Sequence, residues 1–231
     1  MIKGFGLLEV FVALTLSLVI LSLVIASITD SSRIAKKVTD NQQVMESIFH
    51  TVDTIRSDLT KCGMRLHEVE THFNVSLFEN SESSFKLIYG LQSECLEEDS
   101  YRGNNIVTIH KNDYFKKRKA VLIYNTDSSS FEFNEIEAVD GNVLILVNRL
   151  RNDYVKNSNI VVLKQVEYRL YDKQSVLKRK LDNGYFQPIT ENVSDFTVTF
   201  FPESNSVYYR IEVNRREQIM GYIFLTNMVK K

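Results

Sequence analysis

The side chains able to do chemistry in this sequence are few and scattered. One carboxylate, Glu9, lies inside the run from Phe5 to Ile28, which is otherwise almost wholly apolar. Two cysteines occur, Cys62 and Cys95, at a spacing that matches no zinc motif. The segment His67-Glu68-Val69-Glu70-Thr71-His72 carries two histidines five positions apart. A zinc-protease box needs them four apart on one helical face, so a polar helix end running into a loop is the reading here. His50 and His110 stand alone. Lys116-Lys117-Arg118-Lys119, beside Tyr114 and Phe115, is the one dense basic run. Cations interleaved with aromatics suit a single strand of DNA; a solvated turn accounts for the same charges. A Gly-x-Ser-x-Gly elbow and a phosphate loop are both absent. The expectation is a non-enzyme that holds no metal and no cofactor.

Glu9 is the residue that asks for an explanation. An ionised side chain inside a bilayer costs a few kcal/mol or more unless it is paired, so its default meaning is functional. The run around it, Phe5 to Ile28, rises about 36 Å as a helix, enough to cross a hydrocarbon core of about 30 Å. A secretory signal peptide, with Lys3 as its basic start and Val24-Ile25-Ala26 before the cut, is one reading. A plain single-span anchor is another. Neither gives Glu9 a role.

Beyond the apolar run the helical period continues. Ile34, Val38, Met45, Ile48, Val52, Ile55, Leu59, Cys62 and Leu66 fall on one stripe in steps of three and four, with Asn41 filling one gap. Lys36, Asp40, Gln43, Glu46, Asp53, Arg56, Asp58 and Lys61 fall on the other faces. No Pro interrupts residues 5–66, so one helix of about 60 residues and about 90 Å is predicted. Its stripe packs on the chain's own downstream sheet; a coiled coil with a partner is the alternative.

After Gly63 the pattern turns from helical to alternating. Strands are predicted at 85–89, 106–109, 120–124, 131–136, 143–147, 160–171, 196–201, 207–213 and 219–225 from their β-branched and aromatic alternation. Asp140-Gly141-Asn142 is a hairpin signal, and Asn205-Ser206 and Arg215-Arg216-Glu217 are turns. Adjacent strands without intervening helices give antiparallel sheet, hence an α+β fold. The domain reading is a leader at 1–4, a transmembrane half-helix at 5–28, an amphipathic half-helix at 29–66 and a β-rich head at 67–231. A formal net charge of −1 over 231 residues rules out bulk electrostatic binding of nucleic acid by the whole chain. A Cys62–Cys95 disulfide would close a loop of about 30 residues if the head lies in an oxidising compartment; a buried Cys62 thiol with an unpaired Cys95 is the alternative.

Lys3-Gly4-Phe5-Gly6-Leu7-Leu8-Glu9 resembles the prepilin motif of type IV pilins and type II secretion pseudopilins. The resemblance implies cleavage between Gly4 and Phe5 by a prepilin peptidase, N-methylation of Phe5, and pairing of Glu9 with the new terminal amine during assembly. Tyr168-Arg169-Leu170, Leu177-Lys178-Arg179 and Val193-Ser194-Asp195-Phe196 resemble the Y-x-L, L-x-R and V-x-x-F series of PilW-type minor pilins and GspJ-type pseudopilins. Together these cover Lys3 to about Phe201, while residues 68–118 match nothing in that pattern. The charge rule alone does not orient the span, because Lys3 precedes it while Arg33, Lys36 and Lys37 follow it; the resemblance implies N-inside. The implied role is a minor pilin or pseudopilin of a pilus, secretion system or competence pilus, single-pass in a bacterial inner membrane with its head in the periplasm or outside. Implied partners are other pilins, the prepilin peptidase, the assembly platform and the membrane. The alternative is a tip module whose head binds DNA or a surface ligand through Lys116, Lys117, Arg118 and Lys119.

Overall fold

The computed structural model describes residues 6–73, 75–110, 112–214 and 217–228. The predicted cut between Gly4 and Phe5 lies outside them. The chain divides into two compact units, residues 1–50 and 51–231, and helix α1 (Leu7–Leu59) contributes to both.

In the first unit α1 is long and apolar enough to cross a membrane, with a mean hydropathy of 2.7 over its most apolar stretch and none of that stretch buried. Large side chains from Val10 to Ile28 stand open, Phe11 at 68% and Ile28 at 64% exposed. The hydroxyls within and just beyond this stretch are turned inward on the helix. Thr15 donates to Val12 O at 2.9 Å, Ser17 to Ala13 O at 2.7 Å, Ser22 to Val19 O at 2.7 Å and Thr29 to Ile25 O at 2.8 Å. In a medium without water a hydroxyl must find an acceptor, and the preceding turn supplies it. The exposed pair Asp30–Arg33, at 3.9 Å, marks where the helix surface turns polar.

The second unit is the last turns of α1 followed by sheet. The helix ends at Leu59, not at Leu66 as the period predicts. Residues 60–65 are turns, and two of them take left-handed backbone, Gly63 at φ +74° and Arg65 at φ 60°. Gly63 is required on two counts: that φ, and a Cβ there would sit 2.7 Å from Asn227 O. Cys62 and Leu66 still bury, because the turns fold back over the same apolar face. A short α2 (His67–Phe73) follows, buried at Val69 and Glu70.

Among the described residues twelve strands follow, all paired antiparallel: β1 (Phe78–Ser81), β2 (Ser84–Cys95), β3 (Ile106–Thr108), β4 (Ala120–Asn125), β5 (Ser130–Asp140), β6 (Val143–Leu146), β7 (Asn159–Tyr171), β8 (Val176–Leu181), β9 (Gln187–Glu191), β10 (Val193–Phe201), β11 (Ser206–Val213) and β12 (Glu217–Phe224). The fold is therefore α+β. Nine strands form one sheet in the order β1-β2-β7-β4-β5-β6-β3, with β8 and β9 branching from β7; β10-β11-β12 form a second sheet.

Strand β7 organises the larger sheet. One edge pairs with β2 from Arg169 against Ser84 to Asn159 against Cys95. The other edge is shared: residues 159–162 pair with β4, and residues 166–171 pair with β8. Two apolar regions result. One lies among Leu96, Val107, Ile109, Phe115, Val121, Ile136, Leu144 and Tyr154. The other contains the aromatic stack Phe78–Phe85–Tyr168, with Phe85 and Tyr168 centroids 4.7 Å apart, and Phe196 against Phe85 at 6.0 Å. Val52, Ile55 and Leu59 of α1 are also buried within this unit.

Candidate functional site

The described residues place chemistry at two points on α1. The first is Glu9, in the first helical turn. Gly6 precedes the helix, and the Glu9 carboxylate accepts the Gly6 backbone N–H at 3.2 Å, while the Glu9 N–H donates to Gly6 O at 2.9 Å. This is the reach-back half of a capping box, in which an acid at the third helical position satisfies an orphan donor at the start. It also places negative charge at the positive end of the helix dipole. The carboxylate thus points at the backbone that leads to Phe5. Phe5 itself, and with it the predicted methylation site, lies outside the described residues.

The second point is Asp58, one turn from the end of α1. The sequence pattern assigns it to a polar helix face; the structure buries it to 2% exposure. Its Oδ2 accepts two hydrogen bonds, from Tyr168 Oη at 2.6 Å and Arg179 Nε at 2.9 Å, and the Arg179 Nη2 lies 2.7 Å from it as an ion pair. Tyr168 and Arg179 sit directly opposite each other on β7 and β8. Burial, and then the neighbouring Asp58 charge, push the Tyr168 hydroxyl far above the ordinary tyrosine range, so it stays a donor. Of the other quoted residues of the Y-x-L, L-x-R and V-x-x-F series, Leu170 pairs with Leu177 on the same two strands, and Val193 and Phe196 are buried on β10 of the second sheet. Tyr168 and Arg179 thus hold one helical carboxylate between β7 and β8. Thr51 adds a smaller tie, donating to Ile189 O at 3.3 Å.

The remaining predicted sites separate. Cys62 is buried, its Sγ 3.4 Å from Leu77 O, and burial raises its thiol to about 12. Cys95 is exposed at the far end of β2, its Sγ 3.9 Å from Asn159 Oδ1. The Gly63 N–H next to Cys62 bonds to Ile88 O, seven residues back along β2 from Cys95, or about 23 Å of extended strand. A disulfide needs Cα atoms within about 7 Å. Both thiols are free, and the bridged alternative is corrected.

The basic run forms the turns before β4. Lys116, Lys117 and Arg118 are exposed, but Lys119 pairs with Asp182 at 3.2 Å. Phe115, the aromatic expected to offer a stacking surface, is 3% exposed and belongs to the core. Tyr114 alone remains open beside the cations, at 54%. His67 opens α2 and His72 lies near its end; among the described residues no group of three His, Cys, Asp or Glu could hold a metal ion. His110 contacts Glu97 at 2.8 Å on an exposed loop.

Glu132 escaped sequence reading. It is 7% exposed on β5; its Oε2 accepts the Arg151 N–H at 2.8 Å and its Oε1 has no partner, and burial raises its pKa. It lies between Phe131 and Phe133, and a charge alternating with aromatics reads as the polar face of a strand.

By class the chain is an α+β protein with an exposed, membrane-length N-terminal helix and two antiparallel sheets. No family model matches it, and no curated protein matches it. Among solved structures, the tailspike of Acinetobacter baumannii bacteriophage AP22, determined with an A. baumannii capsular saccharide, aligns at 16% identity and a TM-score of 0.29. The alignment covers 34% of this chain and 15% of the tailspike, and a likeness that slight carries no argument.

Proposed function

We propose that this chain is a pilin-like subunit, a minor pilin or pseudopilin, anchored by α1 and assembled into a filament or its tip through packing of apolar helices. The observation that carries the reading is Glu9. It is a carboxylate in the first turn of a helix whose following apolar side chains all stand open, and it is directed at the N-terminal backbone. Cleavage after Gly4 would create an ammonium at Phe5, one residue from the N–H that Glu9 already accepts. A helix this apolar and unburied requires lipid or other helices around it. In lipid it anchors the subunit; among the helices of other subunits it forms a filament core. Tyr168 and Arg179, by holding Asp58, tie the last turns of α1 into residues 51–231.

The test is the mass of the mature protein from its native membrane. The reading expects loss of residues 1–4 and addition of one methyl group, and accumulation of the full-length form when Gly4 is replaced by Val. A mature chain that begins at Met1 or at Ser27, or that is unchanged by Gly4→Val, overturns it.

A further inference from the structure

Strand edges expose unpaired backbone donors and acceptors, and proteins guard them with short length, charge, proline or a covering group. Among the described residues, the second unit guards four of the five strands that end its sheets. Strand β1 is four residues and carries Glu79; β3 is three residues; β9 is five residues and carries Pro188 and Glu191. The outer edge of β10 is covered, since Asn80 Nδ2 donates to Val198 O at 3.1 Å and the Val193 N–H donates to Ser175 O at 2.9 Å. Strand β12 is the exception. It is eight residues long, it pairs on one side with β11, and from Gln218 to Phe224 it contains no charge and no proline. Its outward face is also apolar: Met220, Tyr222 and Phe224 are 57%, 66% and 64% exposed. The rows across the sheet extend that face to Tyr208, whose ring lies 5.0 Å from Tyr222, and to Phe201.

We infer that the β12 edge is a pairing site for β12 of a second copy of this chain, antiparallel about a two-fold axis. Edge charges work chiefly against self-pairing, because a like strand brings like charges into opposition. Between Gln218 and Phe224 two copies oppose no charge at all. A two-fold pair joins two three-stranded sheets into one of six strands and sets Met220, Tyr222 and Phe224 of each copy among the same residues of the other, where aromatic cross-strand pairs stabilise a sheet. One strand edge with these side chains buries less than the roughly 1,600 Å² of a standard stable interface. Pairing therefore depends on a high local concentration, and α1 supplies it wherever copies share a bilayer. The inference stands apart from the filament reading and needs only that copies share a membrane.

The experiment uses the full chain with Cys95→Ser, reconstituted in phosphatidylcholine vesicles, with single cysteines introduced at exposed positions. Met220→Cys and Tyr222→Cys lie on the proposed edge; Phe133→Cys, on β5 at 49% exposure, is the control. Cys62 stays in place, buried and unreactive. A bis-maleimide cross-linker of about 15 Å reach, which spans residue 220 or 222 to its own copy with the two-fold axis at 221 or at 222, is expected to give at least about ten times more cross-linked dimer at 220 and 222 than at 133, and adding Tyr222→Lys to the Met220→Cys chain is expected to remove most of it. Equal cross-linking at all three positions, or none at 220 and 222 while circular dichroism stays native, overturns the inference. So does a Tyr222→Lys variant that loses a hetero-oligomeric partner in cells while the unmodified chain forms no homodimer, because the occupant of the edge is then another protein.

Discussion

Glu9 and Asp58 lie on the same helix, one in its first turn and one near its last, and they are answered in opposite ways. Asp58 is surrounded by its own chain: two side chains from adjacent strands deliver two hydrogen bonds and an ion pair to one oxygen at 2.6–2.9 Å. Glu9 accepts one backbone N–H at 3.2 Å, and the side chains after it are open. A carboxylate in apolar surroundings must be compensated. Where the fold supplies the compensation, the residue belongs to the fold. Where the fold supplies only a cap, the remaining compensation is left to whatever covers the helix. The two ends of α1 therefore differ in kind. In residues 51–231 the chain compensates Asp58 while the Glu132 Oε1 keeps no partner, and in the first unit the apolar side chains of α1 stay open.

The largest expected effect tests the self-sufficient end. Asp58→Ala takes the acceptor from the buried Tyr168 hydroxyl and the counter-charge from Arg179, whose side chain is 24% exposed. Removing one partner of a fully buried pair costs about 3–5 kcal/mol, and the part-exposed Arg179 puts this one at the low end, about 3 kcal/mol. Chemical denaturation of the full chain in detergent, followed by tyrosine circular dichroism because the chain has no Trp, measures it. A loss below about 1 kcal/mol would place Asp58 among ordinary surface charges and dissolve the contrast.

Tyr168→Phe is the next step down. It keeps the ring that stacks on Phe85 at 4.7 Å and removes only the hydroxyl that donates to Asp58 at 2.6 Å. A hydrogen bond to a charged acceptor contributes about 1.5–3 kcal/mol, and the ion pair with Arg179 survives. The expected loss is therefore about half that of Asp58→Ala. Combining the two substitutions should cost less than their sum, since both remove the same bond. Strict additivity would show that Tyr168 acts through packing and that the carboxylate is held by Arg179 alone.

Much of this architecture was legible in the sequence, and the exceptions have physical causes. Nine predicted strands match β2 to β7 and β10 to β12, because alternating β-branched and aromatic residues leave few other solutions. Strand β1 was missed: Phe78-Glu79-Asn80-Ser81 is short and polar, and only its pairing with β2 makes it a strand. The end of α1 was misplaced because Cys62 and Leu66 keep the apolar period after the backbone has left the helix, while the left-handed turn at Gly63 breaks it. Asp58 was assigned to solvent by its charge; periodicity cannot see that Arg179, more than a hundred residues away, will meet it. Phe115 was grouped with its cationic neighbours by adjacency, whereas the turn buries the ring and exposes the charges. Glu9 was legible because an acid in an apolar run is conspicuous at any distance.

The smallest expected effect on stability is also the one that separates the two carboxylates. Glu9→Ala removes a cap from the start of α1, a helix-end effect of about 0.5–2 kcal/mol that is confined to the first turns. Unfolding of residues 51–231 should change by less than about 0.5 kcal/mol, because none of the contacts that hold the Asp58 region involves it. If the proposed filament role holds, the same variant is processed and inserted normally yet fails to enter the assembled complex, which co-purification of membrane-extracted subunits reads directly. Glu9→Gln sharpens the point: its side-chain carbonyl can still accept the Gly6 N–H, but it carries no charge to meet a terminal ammonium. Assembly retained by Glu9→Gln and lost by Glu9→Ala would assign Glu9 to capping. Assembly lost by both would assign it to charge pairing beyond its own chain. Assembly retained by both would make the first-turn carboxylate a local cap that happens to lie in an apolar helix, and the difference from Asp58 would then be one of burial alone.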